Sequence, residues 1–137
     1  MQSLALIGAS GSLGKSIAAA LKAKGLFYRV IGRSESSLRA TFGTDSFATI
    51  TTWNPDSPES TRQSLAGADT AIYMVGVNYW QFELHPQLMK KTLDGAIAAG
   101  VKKLLLIATV YPFGKPQTER VNEDHPRQPH TFKGRMR

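Results

Sequence analysis

The N-terminal stretch MQSLALIGASGSLGKS, Met1 to Ser16, constrains this chain more than any other. Leu4, Ala5, Leu6 and Ile7 form a short apolar run, and Gly8, Gly11 and Gly14 follow at a spacing of three. Leu13, Ile17 and Leu21 then recur every fourth residue, which marks one face of a helix. The order strand, glycine turn, helix aims a helix N-terminus at an anion. Unpaired backbone N–H groups and the positive end of the helix dipole both favour a phosphate there. Gly8 allows the tight turn, Gly11 lets a pyrophosphate approach the backbone, and Gly14 lets the helix pack closely on the strand. Ser10, Ser12 and Leu13 complete the set of candidate phosphate-cradle residues.

Two kinds of phosphate binder use such a stretch. One is a dinucleotide fold with GxxGxxG. The other is a P-loop, because Ala9 to Ser16 reads A-xxxx-G-K-S. Ala9 stands where a P-loop has glycine, and no later apolar strand ends in an aspartate to hold magnesium. The dinucleotide reading is the stronger.

With 137 residues the chain has the length of one domain with one sizeable core. No apolar run approaches the roughly 20 residues needed to span a bilayer, and no basic region precedes Leu4 as in a signal peptide. Cysteine is absent, which excludes disulfides and cysteine metal sites and fits a cytoplasmic protein. No metal site is expected. The net charge of +7 raises the question of nucleic acid. The basic residues are dispersed, without aromatic interleaving, so an anionic cofactor is the better partner.

Gly25 is placed to stop the first helix. Phe27–Ile31 reads as a second strand, ending in Gly32-Arg33-Ser34. In an NAD-binding unit an acidic residue near this strand end accepts the ribose 2′-OH. Arg33 stands there instead, and a guanidinium suits a 2′-phosphate, so NADP is favoured; Glu35 leaves NAD open. A short helix is expected over Ser34–Thr41, a third strand over Phe47–Thr51 and a turn at Trp53-Asn54-Pro55-Asp56. Trp53 or Asn54 serves either as a loop anchor or as an adenine contact. Ser57 or Ser60 caps a helix running to Leu65. Ala71–Val75 is a nearly continuous apolar run, the fourth strand, suited to burial on both faces of a parallel sheet. Val75 and Gly76 sit at its C-terminal end and are candidate cofactor contacts. The longest helix is expected over Leu84–Gly100, with Leu84, Leu88, Met89, Leu93, Ala96 and Ile97 as its core stripe. A fifth strand follows over Val101–Ala108. Five strands alternating with four helices make a doubly wound parallel sheet. The loops at Gly8, Gly32, Gly76 and Thr109 then share one rim.

IGASGSLG at 7–14, AIYMVG at 71–76, AAGVKKLLLIATVYPFG at 98–114 and EDHPRQPHTFKGRMR at 123–137 together resemble the extended short-chain dehydrogenase/reductase superfamily, in particular its NAD-dependent epimerase/dehydratase group. The resemblance covers the chain. It implies an NAD(P)-binding Rossmann domain over 1–137, without the C-terminal substrate region of the longer family architecture. It also implies that Thr109, just past the fifth strand, polarises a substrate carbonyl or hydroxyl. The family's downstream Tyr-xxx-Lys pair is not matched. One register puts Lys133 at the tyrosine and Arg137 at the lysine; a slip of one residue puts Phe132 at the tyrosine. Tyr111, near Thr109, is a substitute phenol. Lys133 is thus a candidate catalytic residue and Arg137 a candidate cofactor contact. The reading is an atypical epimerase/dehydratase-like or reductase-like protein acting on an unidentified small molecule. The alternatives are an NADP-binding regulatory or redox-sensing module and, third, a P-loop nucleotide binder. A sheet that ends at the fifth strand leaves an edge open to another copy.

Overall fold

The computed structural model describes residues 3–137; Met1 and Gln2, the first two residues of the glycine-motif stretch, lie outside the described residues. The chain divides into two units, Met1–Gly76 with Leu88–Ile107 and Val77–Gln87 with Ala108–Arg137.

The first unit is a five-stranded parallel sheet in the order β3-β2-β1-β4-β5. Its strands are β1 Leu4–Ile7, β2 Tyr28–Gly32, β3 Ala48–Thr52, β4 Thr70–Tyr73 and β5 Lys103–Leu106. The helices are α1 Ser12–Ala23, α2 Glu35–Phe42, α3 Pro58–Ser64 and α4 Leu84–Ala98, the last belonging to this unit from Leu88 onward. The chain runs β1, β2, β3 in one direction and then returns to place β4 on the other side of β1. That reversal makes a topological switch point at the carboxyl ends of β1 and β4, the place where open α/β sheets bind ligands.

The apolar run of β1 explains its central place. Ala5 and Ile7 enter one core cluster with Ile31, Trp53, Leu65, Ala71 and Tyr73. Leu6 enters the other, with Ala18, Val30, Leu38 and Phe42. A strand buried on both faces needs no polar alternation. Burying a side chain such as Leu6 contributes about 1.5–3 kcal/mol. Gly25 ends α1 at φ +68°, its N–H donating to the Lys22 carbonyl at 2.8 Å. Ser57 caps α3 by accepting from the Ser60 N–H at 3.1 Å.

Three expectations shift. Strands β2 and β3 each start and end one residue later than the sequence pattern gives, β4 runs Thr70–Tyr73 rather than Ala71–Val75, and β5 is confined to Lys103–Leu106 rather than Val101–Ala108. Leu13 is exposed, so the packed face of α1 is Gly14, Ile17, Ala18 and Leu21. The α4 stripe is also different: Leu93 and Ile97 are exposed, while Met89, Thr92, Gly95 and Ala96 face inward. The reason is contact distance. A Cβ on Gly95 would lie 2.5 Å from the Thr61 Cβ and 2.6 Å from the Pro58 carbonyl, so α3 approaches the small residues of α4 and excludes the large ones.

The second unit is mostly irregular. It contains short 3-10 turns at Tyr79–Gln81 and Tyr111–Phe113 and a one-turn helix, α5, at Phe132–Arg135. His125 clasps its long loop. The ring is buried, its Nε2 accepts the Gln117 N–H at 2.9 Å, and it meets Phe113 edge-on at 5.7 Å.

Candidate functional site

In the first unit Gly8 makes the tight turn and Gly14 the close packing that their spacing predicts. Gly8 leaves β1 at φ +82°, with its N–H on the Ile31 carbonyl at 2.9 Å. A Cβ there would lie 3.1 Å from the Met74 carbonyl group and the Val75 Cα. The end of β1 therefore sits directly against the segment leaving β4, which brings Gly8 and Val75 together. Gly14 is buried, and a Cβ on it would lie 2.1 Å from the Ala9 carbonyl oxygen. The helix touches the turn that feeds it.

Gly11 is different. It is exposed, and an added Cβ would meet nothing within 4 Å. It is the N-cap of α1 at φ −79°, ψ 175°, with no side-chain cap, and the first turn of α1 holds no acidic residue. By contrast α2 starts with Ser34 accepting from the Ser37 N–H and Glu35 in its first turn, and α3 starts with Ser57 and Glu59. The first N–H groups of any helix have no intrahelical partner. In α1 neither a cap nor a carboxylate competes for them. Ser10 and Ser12 flank this open face and are exposed, as is Leu13. Gly76 is exposed, with nothing within 4 Å of an added Cβ.

Arg33 follows β2 directly and is exposed, and no ion pair of its guanidinium occurs among the described residues. Trp53 is a core anchor, not an adenine contact: it is buried among Ile31, Leu65 and Ala71. The Asn54 side chain is used locally, accepting the Asp56 N–H at 3.0 Å. Ser16, which a P-loop directs at magnesium, donates its hydroxyl back to the Ser12 carbonyl at 3.1 Å.

In the second unit Thr109 is half-buried, and its Oγ1 accepts the Tyr111 N–H at 3.2 Å. Gly134 packs on the Tyr111 backbone; a Cβ there would lie 2.6 Å from the Tyr111 carbonyl oxygen. Thr109, Tyr111 and the start of α5 are thus neighbours. The Tyr111 ring is exposed, and so is Phe132. Lys133 sets its Nζ 4.0 Å from the centre of the Tyr79 ring and 5.4 Å from that of Phe82. The Arg137 guanidinium lies 5.6 Å from the Phe82 ring centre. His85 is buried edge-on to Phe82 at 5.1 Å. Its pKa is lowered by desolvation first and by Arg137 second.

Sequence reasoning passed over Tyr79, Trp80, Phe82 and His85. The signal was an aromatic-rich run, Tyr79-Trp80-Gln81-Phe82, in a loop where neither strand nor helix periodicity accounts for it.

A sequence profile described as the NmrA-like family matches residues 1–131. The chain belongs to the NmrA-like family. That membership agrees with its likeness to the extended short-chain dehydrogenase/reductase superfamily. No protein of curated function matches it in sequence.

Solved structures share the fold of this family member at low identity. A dTDP-glucose 4,6-dehydratase from Streptomyces venezuelae, solved with NAD bound, superposes with a TM-score of 0.81 at 15% identity, covering 98% of this chain and 48% of its own. A UDP-N-acetylglucosamine 4-epimerase from Bacillus cereus gives 0.78 at 16%, over 98% and 50%. A short-chain dehydrogenase/reductase superfamily protein from Agrobacterium tumefaciens, with bound NAD, gives 0.74 at 22%, over 98% and 42%. The chain spans about half the length of these proteins or less. Their shared core is the Rossmann-type α/β fold. Among the described residues, no helix is long and apolar enough to cross a membrane.

Proposed function

We propose that this chain binds a nicotinamide dinucleotide, NADP in preference to NAD, on its first unit. The observation that carries this is Gly11: an open, uncapped helix N-terminus held in place by Gly8, at a positive φ that strains any other residue, and by Gly14, where a Cβ would strike backbone. That cradle fits a pyrophosphate, which needs close backbone approach and free N–H donors. Gly8, Ser10, Gly11, Ser12, Leu13 and Gly14 hold the phosphates, Val75 and Gly76 line the crevice, and Arg33 meets the 2′-phosphate. When bound, the cofactor supplies hydride transfer.

The protein then acts as an atypical reductase or epimerase of this superfamily, with Thr109 orienting a substrate oxygen and Tyr111 or Lys133 handling its proton. A second reading is a cofactor-holding regulatory module. It is favoured by one observation: the Lys133 ammonium rests on the Tyr79 and Phe82 rings, and α5 carries no phenol. A cytoplasmic setting accords with the cofactor.

Calorimetric titration with NADPH and NADH tests the cofactor. NADPH is expected to bind more tightly, and Arg33→Ala to weaken NADPH about tenfold or more while sparing NADH. Equal binding of both, unaffected by Arg33→Ala, refutes the NADP assignment. Hydride transfer to a carbonyl substrate that is lost in Thr109→Ala supports the reductase; cofactor binding without turnover supports the module.

A further inference from the structure

We infer that the second unit binds a planar aromatic acid, its ring stacked on Trp80 and its anion on Lys133. Asn78, Tyr79, Trp80 and Lys133 line an open pocket of about 650 Å³, within the size range of small-molecule sites. Trp80 is 90% exposed and Tyr79 65%. An indole displayed this fully, beside a second displayed ring, is informative because large apolar side chains ordinarily gain from burial. The short 3-10 turn at Tyr79–Gln81 carries both side chains, and Tyr79 leans on Phe82 at 5.5 Å.

The charge beside these rings is fixed and unpaid. Lys133 lies on the Tyr79 face at 4.0 Å, which anchors the ammonium at the pocket wall. Neither Lys133 nor Arg137 forms an ion pair among the described residues, whereas Arg39, Arg62, Lys90, Lys91 and Lys102 all do. A ring face attracts a cation without neutralising it. The pocket therefore offers a π-surface and a net positive charge side by side. A flat ring bearing a carboxylate satisfies both at once: offset stacking on the indole and a charge-assisted hydrogen bond to the ammonium. A saturated acid loses the first, and a neutral aromatic loses the second. This inference stands on the second unit alone and does not depend on the cofactor reading.

The test is calorimetric titration of the whole chain with naphthoate, naphthamide and cyclohexanecarboxylate. Naphthoate is expected to bind saturably and at least about tenfold more tightly than the other two. Trp80→Ala and Lys133→Gln are each expected to weaken naphthoate by about tenfold. Lys133→Arg retains the charge and is expected to keep most of the affinity, which separates loss of charge from loss of fold. Absence of saturable naphthoate binding overturns the inference. So does equal binding of the three probes, or unchanged affinity in both Trp80→Ala and Lys133→Gln. A repeat at saturating NADP distinguishes a separate acid from the dinucleotide itself. Undiminished naphthoate binding supports the inference, and mutual displacement overturns it.

Discussion

Gly14 sits so close to Ala9 that a Cβ on it would lie 2.1 Å from the Ala9 carbonyl oxygen. The obstacle is backbone, which cannot swing aside as a flexible side chain can. Gly14→Ala must therefore push α1 away from the turn. It is expected to destabilise the fold by about 1–3 kcal/mol, read as a lower urea midpoint at unchanged slope. An unchanged midpoint would show that helix and turn are not in contact.

The sheet is unevenly buried. Leu6 is fully buried in central β1, whereas Leu105 and Leu106 of edge strand β5 are 44% and 46% exposed. Leu6→Ala is expected to cost about 2–5 kcal/mol, and Leu105→Ala well below that, about 1 kcal/mol or less. Paired denaturant melts check the contrast. Comparable losses at both positions would mean that β5 is covered in solution.

Tyr28 and Asp45 couple stability to alkali and acid. The Tyr28 hydroxyl donates to Asp45 at 2.8 Å, and its pKa is pushed up to about 12, by burial first, then by that bond and by the Asp45 charge. A group raised in the fold supports stability fully below its unfolded value, and that support is lost as pH rises through the folded value. Stability is expected to fall between pH 10 and about 12 and to fall less steeply in Tyr28→Phe. Asp45 moves the other way. Its pKa is lowered chiefly by the Phe47 N–H, with the Tyr28 hydroxyl and Lys22 adding to this against burial. Its contribution is present above the unfolded value of 3.8 and is lost as pH falls through the lower folded one. Thermal melts across pH, with Tyr28→Phe beside the parent chain, measure the alkaline limb. Identical slopes in the two would exclude Tyr28 as its source.

Much of the architecture was legible because local signals agreed with one another. The apolar run Leu4–Ile7, the glycine spacing after it and the stop at Gly25 all describe the same strand, turn and helix, and the structure forms them there. What the pattern misjudged was set by tertiary contact. The α4 periodicity admits two faces, and the close approach of Thr61 to Gly95 selects the small-residue one. Leu13 has the right spacing for the packed face of α1 but lies at the helix start, where the open N-terminus faces solvent.

The glycine turn was legible for the same reason: Gly8 and Gly14 each answer a backbone requirement that sequence spacing encodes. The pocket around Trp80 was not. Tyr79 and Lys133 are far apart in sequence, and no helical or strand periodicity links them. Only the folded second unit places the ammonium on the ring.

The most direct test of the dinucleotide assignment is NADPH affinity in Gly11→Asp, measured by calorimetry beside a thermal melt. Aspartate is a preferred N-cap, and its charge favours the positive end of α1, so stability is expected to rise by about 0.3–1 kcal/mol. The same carboxylate occupies and repels the space a phosphate would take. NADPH binding by the parent chain, lost in a variant that melts no lower, is the predicted result. NADPH bound equally by both chains, or by neither, would contradict the account.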